Sequence, residues 1–312
     1  MARVVMWAAL LLVVRPAAAQ VELKWKWREG EIFFVQTVTK IKQTVVIEDP
    51  RGDAVKPRST RHDREIKQSY EYTSWLQYTV KKRNEDGSAI LLQRVEPDRA
   101  VVKGEETSQP DPTLDGIELT LHIDAKGQVT KAEGGDKLLE RLAGGDTARR
   151  AALKEMLSPE TLRGLASQSL GVLPGSRKKS GETWNSTSEL KLGALGAVKA
   201  ERVFALDAVE TRGATVVARL SFTTKLTNYQ PAQGAGTAFQ IAAGTLTEAS
   251  GKGTAEADLD AGRLLGSEST MKLAGTLALR NAEVLYRARL VQEQTVTTKV
   301  TDKLPAKEVP KK

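Results

Sequence analysis

The side chains able to do chemistry are few. Two histidines, His62 and His122, are the only imidazoles among 312 residues, and there is no cysteine. Nucleophilic catalysis needs a hydroxyl or thiol beside a base, and a zinc centre needs ligands at fixed spacing. Neither histidine has such neighbours. His122 falls on the polar side of an alternating stretch and His62 in a polar loop, so both are expected to be solvated. Zinc sites of the Cys/His kind are excluded by composition, and a two-histidine site would need a carboxylate to which no spacing points. A nucleophile elbow, a phosphate-cradling loop and a dinucleotide fingerprint are all missing.

Three polar groupings carry weaker chemical signals. Gly251-Lys252-Gly253 lacks the following helix that would aim backbone N–H groups at an anion, so a bend in a strand is expected. Asp258, Asp260 and Gly262 echo a calcium loop without its closing glutamate, which favours turn chemistry. Glu105-Glu106 and Asp111-Pro112 lie in a polar stretch, and paired carboxylates become acid and base only within a cleft. We therefore expect no catalytic, cofactor-binding or metal-binding residue and no cofactor. A carboxylate hydrolase is kept as a rival. The chain carries 47 Lys+Arg against 39 Asp+Glu. Its densest basic stretch, 51–67, also contains acids, and the aromatics do not interleave with a basic stripe, so no nucleic-acid partner is expected.

The elements that would position these residues are strands. Ile117, Leu119, Leu121 and Ile123 alternate with Glu118, Thr120, His122 and Asp124, the period of a sheet with one wet face. The same alternation runs through Tyr70 to Val80, Val216 to Leu226, Met271 to Leu279, and Val284 to Val300, the last long enough for a strand of about 55 Å. Asp86-Gly87, Asp124 to Gly127, Arg212-Gly213 and Asp260 to Gly262 are hairpin turns, which join antiparallel neighbours. The expected fold is mainly β (α+β), with two long antiparallel meanders, 20–133 and 182–300, forming a curved sheet or open half-barrel. A linker is expected at 172–181 and a flexible charged tail at 301–312.

The interruption, 134–171, changes period and is rich in helix formers. Asp136, Asp146 and Ser158 are candidate caps for two or three short helices, with Gly144-Gly145 and Gly171 as stops. Helices this short and one-sided need the sheet to cover them. Trp25, Trp27, Phe33, Val35, Ile41, Val45 and Ile47 share one parity, so they line one face if the strand continues through Gly30. They make an ordinary sheet core or, with Leu138, Leu142, Met156 and Leu162 of the insert, the wall of a groove for a lipid-like ligand. A Gly-Glu pair with a nearby tryptophan recurs at 27–31 and 180–184, the weak echo of an internal duplication.

Residues 1–19 have the form of a secretory signal: Arg3, an apolar run from Val4 to Val14, then Ala17-Ala18-Ala19. The run reaches about 16 Å as a helix, short of the roughly 30 Å bilayer core, so cleavage is expected and no transmembrane segment remains. No cysteine follows it to carry an acyl anchor. An aromatic content of 5% is low for the girdles of an outer-membrane barrel. Export to a periplasm or the extracellular space follows.

The signal, the opening Leu23-Lys24-Trp25-Lys26-Trp27-Arg28-Glu29-Gly30, the helical insert, Leu173-Pro174-Gly175 and Gly181-Glu182-Thr183-Trp184 together resemble a family of exported bacterial proteins of unknown function, common among planctomycetes. The resemblance implies no catalytic residue. In outline, two β-rich halves around helices are also similar to the periplasmic lipoprotein carriers, whose open half-barrel holds acyl chains under a helical lid. The expected function is a non-enzymatic binding protein of the bacterial envelope, holding a lipid-like or other apolar ligand between sheet and helices. The alternative is an envelope assembly protein acting through protein contacts.

Overall fold

The computed structural model describes residues 20–48, 63–97, 101–103, 108–110, 116–191, 196–231, 240–281 and 284–306. Residues 1–19, expected to be a secretory signal, His62 with most of the basic stretch 51–67, Glu105-Glu106, Asp111-Pro112 and the end of the charged tail lie outside them.

The alternating stretches are strands, as expected. The first meander comprises β1 (Val21–Leu23), β2 (Ile32–Glu48), β3 (Arg64–Arg83), β4 (Ala89–Val95), β5 (Val101–Lys103), β6 (Ser108–Pro110), β7 (Glu118–Ile123) and β8 (Val129–Glu133). Three helices follow: α1 (Gly135–Ala143), α2 (Thr147–Met156) and α3 (Pro159–Leu170). The second meander comprises β9 (Ser176–Lys178), β10 (Thr183–Lys191), β11 (Ala197–Arg212), β12 (Thr215–Gln230), β13 (Gln240–Asp258), β14 (Arg263–Asn281) and β15 (Val284–Thr301). The strand β15 pairs antiparallel with β2 from Arg287 opposite Glu48 to Thr301 opposite Phe34. That pairing fuses the meanders into one thirteen-stranded sheet that does not close: eleven strands run in the order β10-β11-β12-β13-β14-β15-β2-β3-β4-β7-β8, and β5, paired with β3, carries β6. The ends of that eleven-strand path are β8 and β10, and the helices connect them in sequence. No helix among the described residues is long and apolar enough to cross a membrane.

The turns work as their residues dictate. Asp124 Oδ1 accepts from the N–H groups of Lys126 and Gln128, and Asp258 Oδ1 from those of Asp260 and Ala261. Asp260 Oδ2 accepts from Val216 N–H. The acids that echoed a calcium loop are thus engaged by backbone donors. Asp146 and Ser158 accept from Arg149 and Thr161 N–H, capping α2 and α3. Asp136 does not cap α1. Gly134 holds that position at φ 100°, where a Cβ would sit 2.6 Å from Glu118 O, so the tight exit from β8 demands glycine.

Two further departures are local. The strand does not continue through Gly30: residues 24–31 leave strand geometry, although Trp25 and Trp27 remain buried and stack at 4.8 Å. The segment read as a linker contains β9, which pairs with β1 from Val21 opposite Lys178 to Leu23 opposite Ser176.

One core serves both meanders. It joins Phe33, Tyr78, Leu91 and Leu121 of the first to Phe204, Leu206 and Leu220 of the second, with Leu138, Leu162 and Leu170 of the helices. A smaller cluster, Val198, Ala200, Leu226, Leu273 and Leu290, lies farther along the strands.

The sequence echo corresponds to a repeated piece of geometry. Gly30 N–H donates to Val80 O and Val80 N–H to Glu31 O; Gly181 N–H donates to Leu206 O and Leu206 N–H to Glu182 O. Both glycines have positive φ, 80° and 84°. Beyond each turn an aromatic pair stacks across the strands: Phe33 on Tyr78 at 5.1 Å, and Trp184 on Phe204 at 5.4 Å. The next pair on the same face is Val35 with Leu76 in the first copy and Ser186 with Arg202 in the second.

Candidate functional site

The helix α3 stands at the seam between the two sheet edges. Leu162, Ala166 and Leu170, four residues apart, bury one stripe of α3 in the core beside Val129 and Ala132 of β8. Trp25 Nε1 donates to Leu170 O at 2.7 Å, satisfying a carbonyl of the last helical turn. Toward β10 the fit is looser. Gly164 faces the Glu189 backbone, where an added Cβ would lie 3.4 Å from the carbonyl oxygen. A cleft of about 770 Å³ remains between them.

Its β-side wall carries Trp184, Ser186 and Ser188 of β10 and Arg202 of β11. Its helical wall carries Glu160, Arg163 and Leu165, and its base Pro174 and Lys178. Leu165 is 51% exposed, an apolar side chain turned away from the core. Lys178 Nζ sits 5.9 Å from the Trp184 ring centroid, within cation–π range. The cleft thus combines apolar and aromatic side chains with hydroxyls, cations and the carboxylates of Glu160 and Glu189.

Arg202 is the anomalous group. Its position belongs to the core-facing parity of β11, between Ala200 and Phe204, both fully buried. Its Nε is shielded from solvent and makes no hydrogen bond. Arg94 and Arg263 also have shielded, unbonded Nε atoms, but Arg94 pairs with Glu96 and Arg263 with Glu31 and Asp302. Arg202 has no carboxylate partner among the described residues. Burial pulls its guanidinium below the ordinary arginine value, with desolvation the cause.

The residues expected to line a groove are elsewhere. Trp25, Trp27, Phe33, Leu138 and Leu162 are buried together in the core, and Leu142 packs against it. Only the backbone of Met156 is described. None of the six with described side chains lines the cleft. His122 is on the wet face with Nε2 3.4 Å from Glu133 Oε2. Gly251 and Gly253 sit within β13 without ending it: a Cβ at Gly253 would lie 2.4 Å from Phe222 Cζ, so glycine there admits an aromatic ring. No group of three or more His, Cys, Asp or Glu able to hold a metal occurs among the described residues.

Sequence reasoning misses Ser186, Lys178 and Arg202, though Arg202 has a signal. A charge on the inward parity of Val198, Ala200, Phe204 and Leu206 is an exception to the alternation.

No curated protein matches the chain. Among solved structures, a lipovitellin structure concerned with lipid–protein interactions is similar at 9% identity and a TM-score of 0.46, covering 91% of this chain. The present chain spans only 27% of that one. The outer membrane protein OprG of Pseudomonas aeruginosa is similar at 6% identity and a TM-score of 0.23, with 88% of this chain and 97% of that chain covered. A family profile matches residues 73–263, more than half of the sequence, and the chain belongs to that family of unknown function (DUF6263).

Proposed function

We propose that this is an exported, non-enzymatic binding protein of the bacterial envelope that holds a lipid-like ligand in the cleft between α3 and β10. The observation that carries the proposal is the contrast between the two sides of α3: one is packed into the core, the other faces a cleft with an exposed leucine, a tryptophan and a half-buried arginine. Binding sites combine apolar surface with a few placed polar groups in this way. The ligand lies at the seam, because the side chains under the helices already fill one another's space.

The test is uptake by protein purified from its native host and then delipidated. Mass spectrometry of the organic extract should find co-purified lipid, and the stripped protein should take up a fluorescent fatty acid. Absence of both contradicts the proposal.

A second reading, an envelope assembly protein, draws on the edge strand β10. Among the described residues only its β11 side is paired in the sheet, so the outward backbone groups of β10 that α3 does not approach can accept an added strand. A recurrent protein crosslinked to residues 183–191 in cells, with no bound lipid, would favour that reading.

A further inference from the structure

Resting on the reading of the cleft as a ligand site, we infer that its ligand is an amphiphile with an oxyanion head, a carboxylate or phosphate, which meets the Arg202 guanidinium while the apolar body lies along Leu165, Pro174 and Trp184.

A half-buried arginine whose Nε is shielded from water and unbonded is costly to keep, because desolvation removes water without supplying a replacement. The fold itself does not require a charge at this place. In the repeated geometry of the first meander the same position is Leu76, facing Val35, and the sheet forms there equally well. In the second meander the cross-strand neighbours of Arg202 are Ser186, which also lines the cleft, and Thr224, so both residues opposite it carry a hydroxyl. A planar fork of N–H donors beside hydroxyls matches an oxyanion, which can accept two parallel bonds. The remaining charges lining the cleft are Arg163 and Lys178 against Glu160 and Glu189, so Arg202 leaves an excess of one positive charge. A free oxyanion would use the cations alone. The half-exposed Leu165 and Trp184 line the same cleft as these cations, which is why the occupant is an amphiphile.

The experiment uses the full chain, stripped of lipid, and three probes: a fluorescent fatty acid with a free carboxylate, its methyl ester, and inorganic phosphate. Arg202→Leu copies the residue of the first meander. Ser186→Glu leaves Arg202 in place and puts a carboxylate against it, so it serves as the independent test should Arg202→Leu not fold. The acid should bind at least about tenfold more tightly than the ester, the worth of a charge-assisted hydrogen bond. Both variants should erase that preference, bringing the acid's affinity down to within about twofold of the ester's. Equal binding of acid and ester by the wild type, or a preference that survives in a folded variant, overturns the inference while leaving a binding protein. Phosphate binding that depends on Arg202, without uptake of either fatty probe, overturns the amphiphile in favour of a small free oxyanion. If neither fatty probe is taken up and no lipid co-purifies, the binding function itself has failed, and the inference falls with it.

Discussion

The same device occurs twice in this molecule and is finished differently each time. At Gly30-Glu31 and Gly181-Glu182 a left-handed glycine turn feeds a strand whose first inward aromatic stacks on its neighbour. In the first copy the strand, β2, has partners on both sides, and the next inward pair is Val35 with Leu76. In the second copy the strand, β10, is an edge, and the corresponding pair is Ser186 with Arg202. The comparison separates what the fold needs from what it tolerates. Turn and aromatic pair are common to both copies and belong to the scaffold, whereas the inward arginine is peculiar to the copy that borders a cleft.

Truncating the aromatics gives the largest expected effect and tests whether the copies are equally sealed. Phe33 is 2% exposed, so Phe33→Ala should cost about 3–5 kcal/mol in denaturant unfolding. Trp184 is only partly buried, and Trp184→Ala should cost about 1–2 kcal/mol. Equal losses would show that the second copy is as closed as the first.

Exchanging the residues that differ comes next. Leu76→Arg puts an unpaired cation against the core and should destabilise by about 3 kcal/mol, while Arg202→Leu should leave stability unchanged or raise it by about 1 kcal/mol. Calorimetric melting of both variants reads the sign. A large loss on Arg202→Leu would mean that the arginine is structural.

The smallest effect is alkaline. Tyr78, 1% exposed, donates from its hydroxyl to Gln93 Oε1 at 3.2 Å, and burial pushes its phenol well above the ordinary tyrosine value. Above pH about 10 the unfolded phenol loses its proton while the folded one keeps it. The unfolded state then binds fewer protons, so stability falls as pH rises, by at most about 1.4 kcal/mol per pH unit. Below that pH the contribution is fully present. Tyr78→Phe should flatten the alkaline limb of the stability curve and cost about 1 kcal/mol near neutrality for the lost bond. The second copy has Phe204 in place of Tyr78, so Phe204→Leu should leave that limb alone.

Most of the sheet is legible in the sequence because alternation is a local property. Ile117 to Ile123 or Val284 to Val300 declare their inward side without reference to any partner. The helix caps at Asp146 and Ser158 are legible for the same reason. The pairing of β15 with β2 is not, since it joins residues over two hundred positions apart and no local signal names a long-range partner. The duplication is half legible. The Gly-Glu pair is visible, but Trp27 is not the counterpart of Trp184; that role belongs to Phe33, because the strand begins after Gly30 and resets the parity. The residues expected to line a groove are apolar on one face, and that property also builds a packed core. The cleft depends on an exception to the apolar pattern, Arg202, and on how closely α3 approaches β10, which only the folded chain sets.

The most direct test is amide hydrogen exchange of the lipid-stripped protein with and without a saturating fatty acid. A ligand at the seam should slow exchange in residues 160–171 of the helical wall and 183–189 of β10, and leave β14 and the far half of β15 unchanged. Protection confined to β14 and β15, or unaltered exchange at both walls of the cleft under saturating ligand, would contradict the account.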